Sequence, residues 1–88
     1  MRGEQTNDAE AVALAALGWT LSDDARADRL LSLTGLSPET LRSRLGDPEL
    51  LAAVLRFLEA YEPDLLACAE HLQTTPLHLV ESRRRLEA

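Results

Sequence analysis

The sequence predicts an all-α fold, a compact bundle of five to six short helices. Its apolar residues, 45% of the 88, are nearly all Leu and Ala, which are strong helix formers. Ile is absent and Val occurs three times, so the chain has few of the β-branched residues that sheets favour. Capping residues followed by Pro recur along the chain, a pattern typical of short helices that begin one after another.

The first helix is predicted to follow a flexible N-terminal tail of residues 1–7 and to open the single helical domain of residues 8–88. Asn7, three residues before Glu10, matches a capping box for the helix start. The helix then carries Val12, Leu14, Leu17, Trp19 and Leu21 with alanines between them. A helix that is apolar nearly all round is expected in the middle of a bundle. Gly18 costs it about 1 kcal/mol relative to Ala, which a close helix crossing would explain.

The later helices are predicted from their local capping chemistry. Ser22 with Asp23 and Asp24 caps the second helix, and Gly35 ends it. Four further helices begin with a capping residue followed by Pro, at Ser37, Asp47, Glu62 and Thr75. The fourth helix has the clearest amphipathic pattern, with Leu51, Val54, Leu55 and Leu58 at helical spacing.

Charge and cysteine content limit the classes of function. The net charge is −6 and the pI about 4.7, so nucleic-acid phosphates and anionic membranes would repel the protein. The single Cys68 excludes an internal disulfide and fits a reducing compartment. The longest uncharged run, residues 11–22, is far shorter than the roughly 20 residues that span a bilayer. We therefore expect a cytoplasmic protein with no membrane contact.

The stretch LTGLSPETLRSRL, residues 33–45, raises the question of DNA binding because it has the outline of a helix-turn-helix. If Gly35 is the turn glycine, Leu31 stands where the two helices should cross closely and is too bulky for that position. Glu39 would face phosphates from the start of the recognition helix. The pattern therefore favours an ordinary helical corner over a DNA-reading motif.

Four residues of types suited to metal binding occur near one another in the sequence, at Cys68, His71, His78 and Glu81. Each half of this set has i, i+3 spacing, and the two halves lie on consecutive predicted helices. No close-spaced pair such as C-x-x-C supports a metal site, and a Cys among leucines is usually a small buried hydrophobe. Phosphate-binding loops and hydrolase motifs are absent from the sequence. We expect no metal, no cofactor, no small-molecule substrate and no catalytic activity.

Three segments taken together resemble a known family: LTGLSPETLR, DPELLAAVLRFLEAYEPDLL and TTPLHLV. In this order and spacing they are similar to the domain of unknown function 3572, a bacterial family found in alphaproteobacteria. The resemblance covers most of residues 9–86. The chain departs from it at Arg56, where an acidic residue is expected, and in the segment HLQTTPLHLV. The family implies an all-helical fold and supplies no activity, cofactor or catalytic residue.

The sequence favours a small cytoplasmic protein-interaction module, an adaptor whose partner is another protein or a second copy of the chain. Because the chain is small and rich in Leu, we expect it to leave some apolar surface exposed, which a partner would cover. Because Arg and aromatic side chains dominate binding hot spots, we expect contacts from Arg26, Arg29, Arg42, Arg44, Trp19 and Tyr61. The alternative is a helix-turn-helix-like nucleic-acid-binding regulator that uses the same four arginines, and it requires a coherent positive surface.

Overall fold

The structure, a computed structural model, describes the backbone of residues 2–88 and the side chains from Asp8 onward. This part of the chain forms six helices: α1 (Arg2–Leu21), α2 (Asp24–Thr34), α3 (Pro38–Ser43), α4 (Pro48–Glu59), α5 (Glu62–His71) and α6 (Pro76–Glu87). No strand occurs between residues 2 and 88, so the predicted all-α bundle is confirmed. The predicted start of the first helix at Asn7 is wrong, because α1 begins at Arg2. The flexible tail of residues 1–7 stays a prediction, since the side chains of these residues lie outside the described ones.

Most helix starts follow the predicted capping chemistry. The Asp23 carboxylate accepts a hydrogen bond from the Arg26 backbone N–H at the start of α2. Side-chain oxygens cap α3, α4 and α6 in the same way, from Ser37, Asp47 and Thr75, each directly before a Pro. The predicted cap at Glu62 is wrong: Tyr61 occupies the capping position of α5 and makes no side-chain capping bond there. The acidic residues of the first turn stabilise the positive end of α5 instead.

The core forms around α4, which contacts α1, α2, α5 and α6. Seven of its twelve residues are buried: Leu50, Leu51, Ala52, Val54, Leu55, Phe57 and Leu58. Leu79 from α6 and Leu30 from α2 belong to the same cluster, together with buried residues of α1, α3 and α5. The amphipathic pattern of α4 in the sequence therefore identifies the central helix of the bundle.

Helix α1 contacts α2, α4, α5 and α6 and contributes Ala13, Ala16 and Leu17 to the core, but it is not buried on all sides as its apolar sequence predicts. Its buried side consists mainly of small residues, Ala9, Ala13 and Ala16, together with Leu17 and Thr20. Small side chains let α1 lie close to α4 and α6, both of which it contacts. Its opposite side is exposed to solvent.

Candidate interaction surface

Arg26 and Trp19 join the end of α1 to the start of α2. The Arg26 guanidinium lies 3.7 Å from the centre of the Trp19 ring, and its Nη2 donates a 2.8 Å hydrogen bond to the Trp19 carbonyl. The same nitrogen lies 3.2 Å from the Ser22 hydroxyl. Among the described residues, no carboxylate lies within salt-bridge distance of the Arg26 side chain. Arg26 therefore packs firmly on α1 while its charge is not neutralised by an ion pair.

Arg29 and Tyr61 belong to a second cluster, where α2 meets the start of α5. Arg29 donates a 2.8 Å hydrogen bond to the carboxylate of Asp64. Its guanidinium carbon lies 5.3 Å from the centre of the half-exposed Tyr61 ring and 5.7 Å from that of Phe57, which is buried. The structure brings the predicted Arg29 and Tyr61 together. The ion pair with Asp64, however, neutralises the Arg29 charge within the molecule.

Arg42 and Arg44 lie at the end of α3 and differ in their surroundings. Arg44 makes two hydrogen bonds, of 2.7 and 3.1 Å, to the same Asp47 oxygen, and they lower the pKa of that carboxyl. Arg42 is exposed and has no ion pair within the described part of the chain. The six predicted contact residues therefore divide between the two aromatic clusters and the end of α3, with Arg26 and Arg42 lacking carboxylate partners.

The four candidate metal-binding residues have different environments. Cys68 is fully buried in the core, whereas His71 and Glu81 are exposed. Burial raises the pKa of the Cys68 thiol to about 11, so the thiolate that metals require is disfavoured. In residues 8–88, no group of three or more His, Cys, Asp or Glu side chains is placed to hold a metal ion.

The side of α1 that points away from the core is apolar over three turns. Five exposed residues follow one another there at helical spacing, and we call them the α1 outer face: Ala11, Leu14, Ala15, Gly18 and Leu21. Leu14 and Leu21 keep 41% and 40% of their surface exposed, and residues 11–22 contain no charge. A Cβ atom at Gly18 would meet nothing within 4 Å, so the expected close crossing inside the molecule does not occur there.

A shallow groove of about 270 Å³ runs beside the α1 outer face. It is lined by Ala11, Val12 and Ala15 from α1, by Leu72 and Thr74 from the connection between α5 and α6, and by His78 from α6. The α1 outer face therefore has the two exposed leucines on one side and an apolar depression on the other. Sequence reasoning missed this surface because it assigned the uncharged run of residues 11–22 to the core.

Helices α4 and α6 present a different surface, which is crossed by ion pairs. Arg83 on α6 bonds to Glu59 on α4 and, at 2.7 Å, to Glu87. Arg56 on α4 bonds to Glu87 at 2.6 Å. The two guanidinium groups hold the pKa of the Glu87 carboxyl below its ordinary value of 4.5. A groove of about 480 Å³ between these helices is lined by the paired Arg56 and Glu87 and also by Glu49.

Comparison with known proteins places the chain in a family but not near any protein of established activity. The family model described as "Protein of unknown function (DUF3572)" matches residues 6–88, which confirms the resemblance seen in the sequence. No curated protein matches the chain. No solved structure matches it either. None of the helices in residues 2–88 is long and apolar enough to cross a membrane.

Proposed function

We propose that this chain, which belongs to the family of proteins of unknown function DUF3572, is a non-catalytic protein-interaction module of the cytoplasm. The α1 outer face is the single observation that supports this function most. A solvent-facing side of a helix ordinarily carries charged or polar residues, and here five successive positions carry none. Covering exposed apolar surface gains about 25 cal/mol per Å², so this face favours a complex over the free protein.

The shape of the face favours a polypeptide as the partner. Small-molecule sites are concave and enclose most of their ligand, whereas the α1 outer face is convex and the groove beside it is shallow. Another helix can lie along such a surface, because ridges of side chains on one helix fit the grooves of another. Ala11, Ala15 and Gly18 leave room for a close approach.

Nucleic acid is a poorer fit to this molecule. Two of the four arginines in the alternative hypothesis, Arg29 and Arg44, bond to carboxylates of the same chain. Counterion release, which drives binding to a phosphate backbone, needs cations that are free to contact phosphates. The net charge of −6 opposes such binding further. We therefore retain the protein-interaction module as the one proposed function.

Site-specific photocross-linking tests this proposal. A benzophenone amino acid replaces Gly18 in one sample and the exposed Glu70 on α5 in the control. Each sample is cross-linked in a lysate of the native host with and without nuclease treatment. We expect a protein adduct from position 18 only. In the position-18 sample, Leu14→Glu should abolish the adduct. Leu66→Glu should not, although Leu66 is also a half-exposed leucine. Equal labelling from positions 18 and 70 would refute the proposal, as would an adduct that depends on nucleic acid.

A further inference from the structure

We infer that the partner of the α1 outer face is a helix of another protein that has an apolar stripe with basic residues at both ends. This inference rests on the proposed function and names the chemistry of the partner for it. Two features of the molecule support it: the apolar surface that α1 leaves exposed, and the carboxylates that lie at each end of this surface.

Two carboxylates lie at the first end of the α1 outer face. Successive residues of a helix turn by about 100°, so Asp8 and Glu10 lie on opposite sides of Ala11. Asp8 is exposed, and its ionic contact is His78 at 3.5 Å. Glu10 is partly exposed and makes no salt bridge in the described part of the chain. With His78 neutral at pH 7, these two residues give this end a net charge of −2.

The other end of the face, where α1 is followed by α2, is also acidic. Asp23 and Asp24 come directly after the end of α1, and Asp24 is exposed without a salt bridge among residues 8–88. Arg26 is the cation at this end, but its guanidinium stacks on Trp19 and its Nε is buried, so it is turned toward the protein. Two carboxylates and one guanidinium leave this end with a net charge of −1.

An apolar surface between two acidic ends discriminates among possible partners. A second copy would set acidic ends against acidic ends in either direction, and the phosphates of nucleic acid would be repelled in the same way. A helix with leucines between basic residues matches the whole surface. Its leucines cover Leu14 and Leu21 while its cations approach the carboxylates at the two ends. The net charge of −6 also favours the approach of a cationic segment.

The length of the face sets the length of the partner helix. Asp8 and Leu21 are 13 residues apart on α1, which corresponds to about 20 Å of helix. About four turns of a partner helix therefore reach from one acidic end to the other, and Ala11, Ala15 and Gly18 allow its backbone to approach closely. Such a contact buries less than the roughly 1,200 Å² of a standard interface, so we expect a weak complex that salt weakens further.

Designed helical peptides test this chemistry with the full chain. The first peptide has leucines along one side and two Lys residues at each end. The second has Glu in place of each Lys, and the third keeps the Lys residues but has Gln in place of each leucine. Binding of the fluorescently labelled peptides is followed by anisotropy at low and high salt. We expect the first peptide to bind about tenfold more tightly than the other two, and its affinity to fall with salt.

Variants of the chain test whether the first peptide binds at the α1 outer face. Leu14→Gln should reduce its affinity strongly, whereas Leu66→Gln, which changes a half-exposed leucine on α5, should leave it unchanged. The double variant Asp8→Asn with Asp24→Asn should weaken binding about fivefold, because an ion pair with the peptide is lost at each end of the face.

A second double variant controls for overall charge. Glu62→Gln with Glu70→Gln removes two exposed carboxylates from α5, one of them in the first turn of the helix as Asp24 is in α2. It changes the net charge as much as the variant at Asp8 and Asp24 does, yet it should leave the affinity within about twofold. Equal losses in the two double variants would overturn the inference, since overall charge alone would then govern binding. Equal affinity for the Lys and Glu peptides would overturn it as well.

Photocross-linking from position 18 separates failure of this inference from failure of the proposed function. The segment of the partner that is cross-linked, identified by mass spectrometry, should carry Lys or Arg at both ends of an apolar helical stripe. A segment with acidic or uncharged ends overturns the basic helix and leaves the interaction module intact. An adduct between two copies of the chain has the same meaning. The absence of any protein adduct refutes the proposed function and this inference together.

Discussion

Helices α1 and α4 lie against each other but distribute their side chains in opposite ways. α4 buries large residues such as Leu55 and Leu58 and exposes Glu49 and Arg56, as expected of a helix that is stabilised by packing onto a core. α1 buries mainly alanines, while its two large outward residues, Leu14 and Leu21, remain exposed. The pattern of α4 is therefore explained by folding alone. That of α1 is explained by folding only on its buried side.

The difference has a thermodynamic consequence for the two helices. Burying a leucine side chain contributes about 1.5–3 kcal/mol, so the inward residues of α4 account for much of the stability of this small core. Outward leucines on α1 gain little from folding because much of their surface remains in water. Residues that contribute little to folding and carry no charge are candidates for binding, and substitutions can separate the two roles.

Truncating one leucine on each helix is expected to give the largest contrast. Leu58→Ala removes a fully buried side chain and should lower the free energy of unfolding by about 2–5 kcal/mol. Leu14→Ala removes a half-exposed one and should cost about 0.5 kcal/mol or less. Both values are measured by urea unfolding of dilute protein. Similar losses for the two variants would mean that α1 is held by Leu14 and that its outer face belongs to the fold.

Gly18→Ala is expected to have a smaller effect and the opposite sign. Gly in the interior of a helix costs roughly 0.5–1 kcal/mol relative to Ala, and a Cβ at this position would meet no neighbouring atom. The variant should therefore be more stable by that amount in the monomer, as followed by circular dichroism during thermal unfolding. The added methyl group would at the same time hinder the close approach of a partner helix to the α1 outer face. A destabilised monomer would contradict the open surroundings of Gly18.

The sequence predicted α4 well and α1 poorly, and the cause is the contrast between side chains. Alternation of leucines with Arg56 and Glu59 gives α4 a buried side that can be recognised from spacing. In α1, alanines surround the larger residues on all sides, and Ala is found both buried and exposed, so spacing cannot identify the inward side. Only the packing of α1 on α4 and α6 decides it.

Ionic contacts were less predictable than the helices because they depend on tertiary distance. Arg29 and Asp64 are 35 residues apart in the sequence, yet they form a 2.8 Å ion pair. The expectation that Arg29 and Arg44 serve a partner was based on residue type alone, and it had no means of showing that each already has a carboxylate. Arg26 is different, since its guanidinium stacks on Trp19 without such a partner among residues 8–88.

Acid pH is expected to lower the free energy of unfolding slightly by weakening the ion pairs at the outer surface of α4. The α1 outer face has no ionisable side chain that could respond. Because Arg56 and Arg83 lower the pKa of Glu87 below 4.5 in the folded state, the unfolded chain binds a proton there more readily. The stabilisation is fully present above pH 4.5 and is lost as the pH falls through the lowered pKa. Glu87→Gln should therefore flatten the decline of unfolding free energy in acid, measured by urea unfolding at several pH values.

Two further variants, Gly18→Ala and Glu70→Gln, serve as controls for the effect of Glu87→Gln in acid. Gly18→Ala changes no ionisable group, so it should shift the unfolding free energy by the same amount at every pH. Glu70→Gln removes an exposed carboxyl without a salt bridge in the described part of the chain, and it controls for the loss of one charge. If Glu87→Gln and Glu70→Gln give the same pH dependence, the ion pairs of Glu87 with Arg56 and Arg83 add nothing to the fold. The ion pair between Arg83 and Glu59 would then be the one left to stabilise the contact of α6 with α4 through charge.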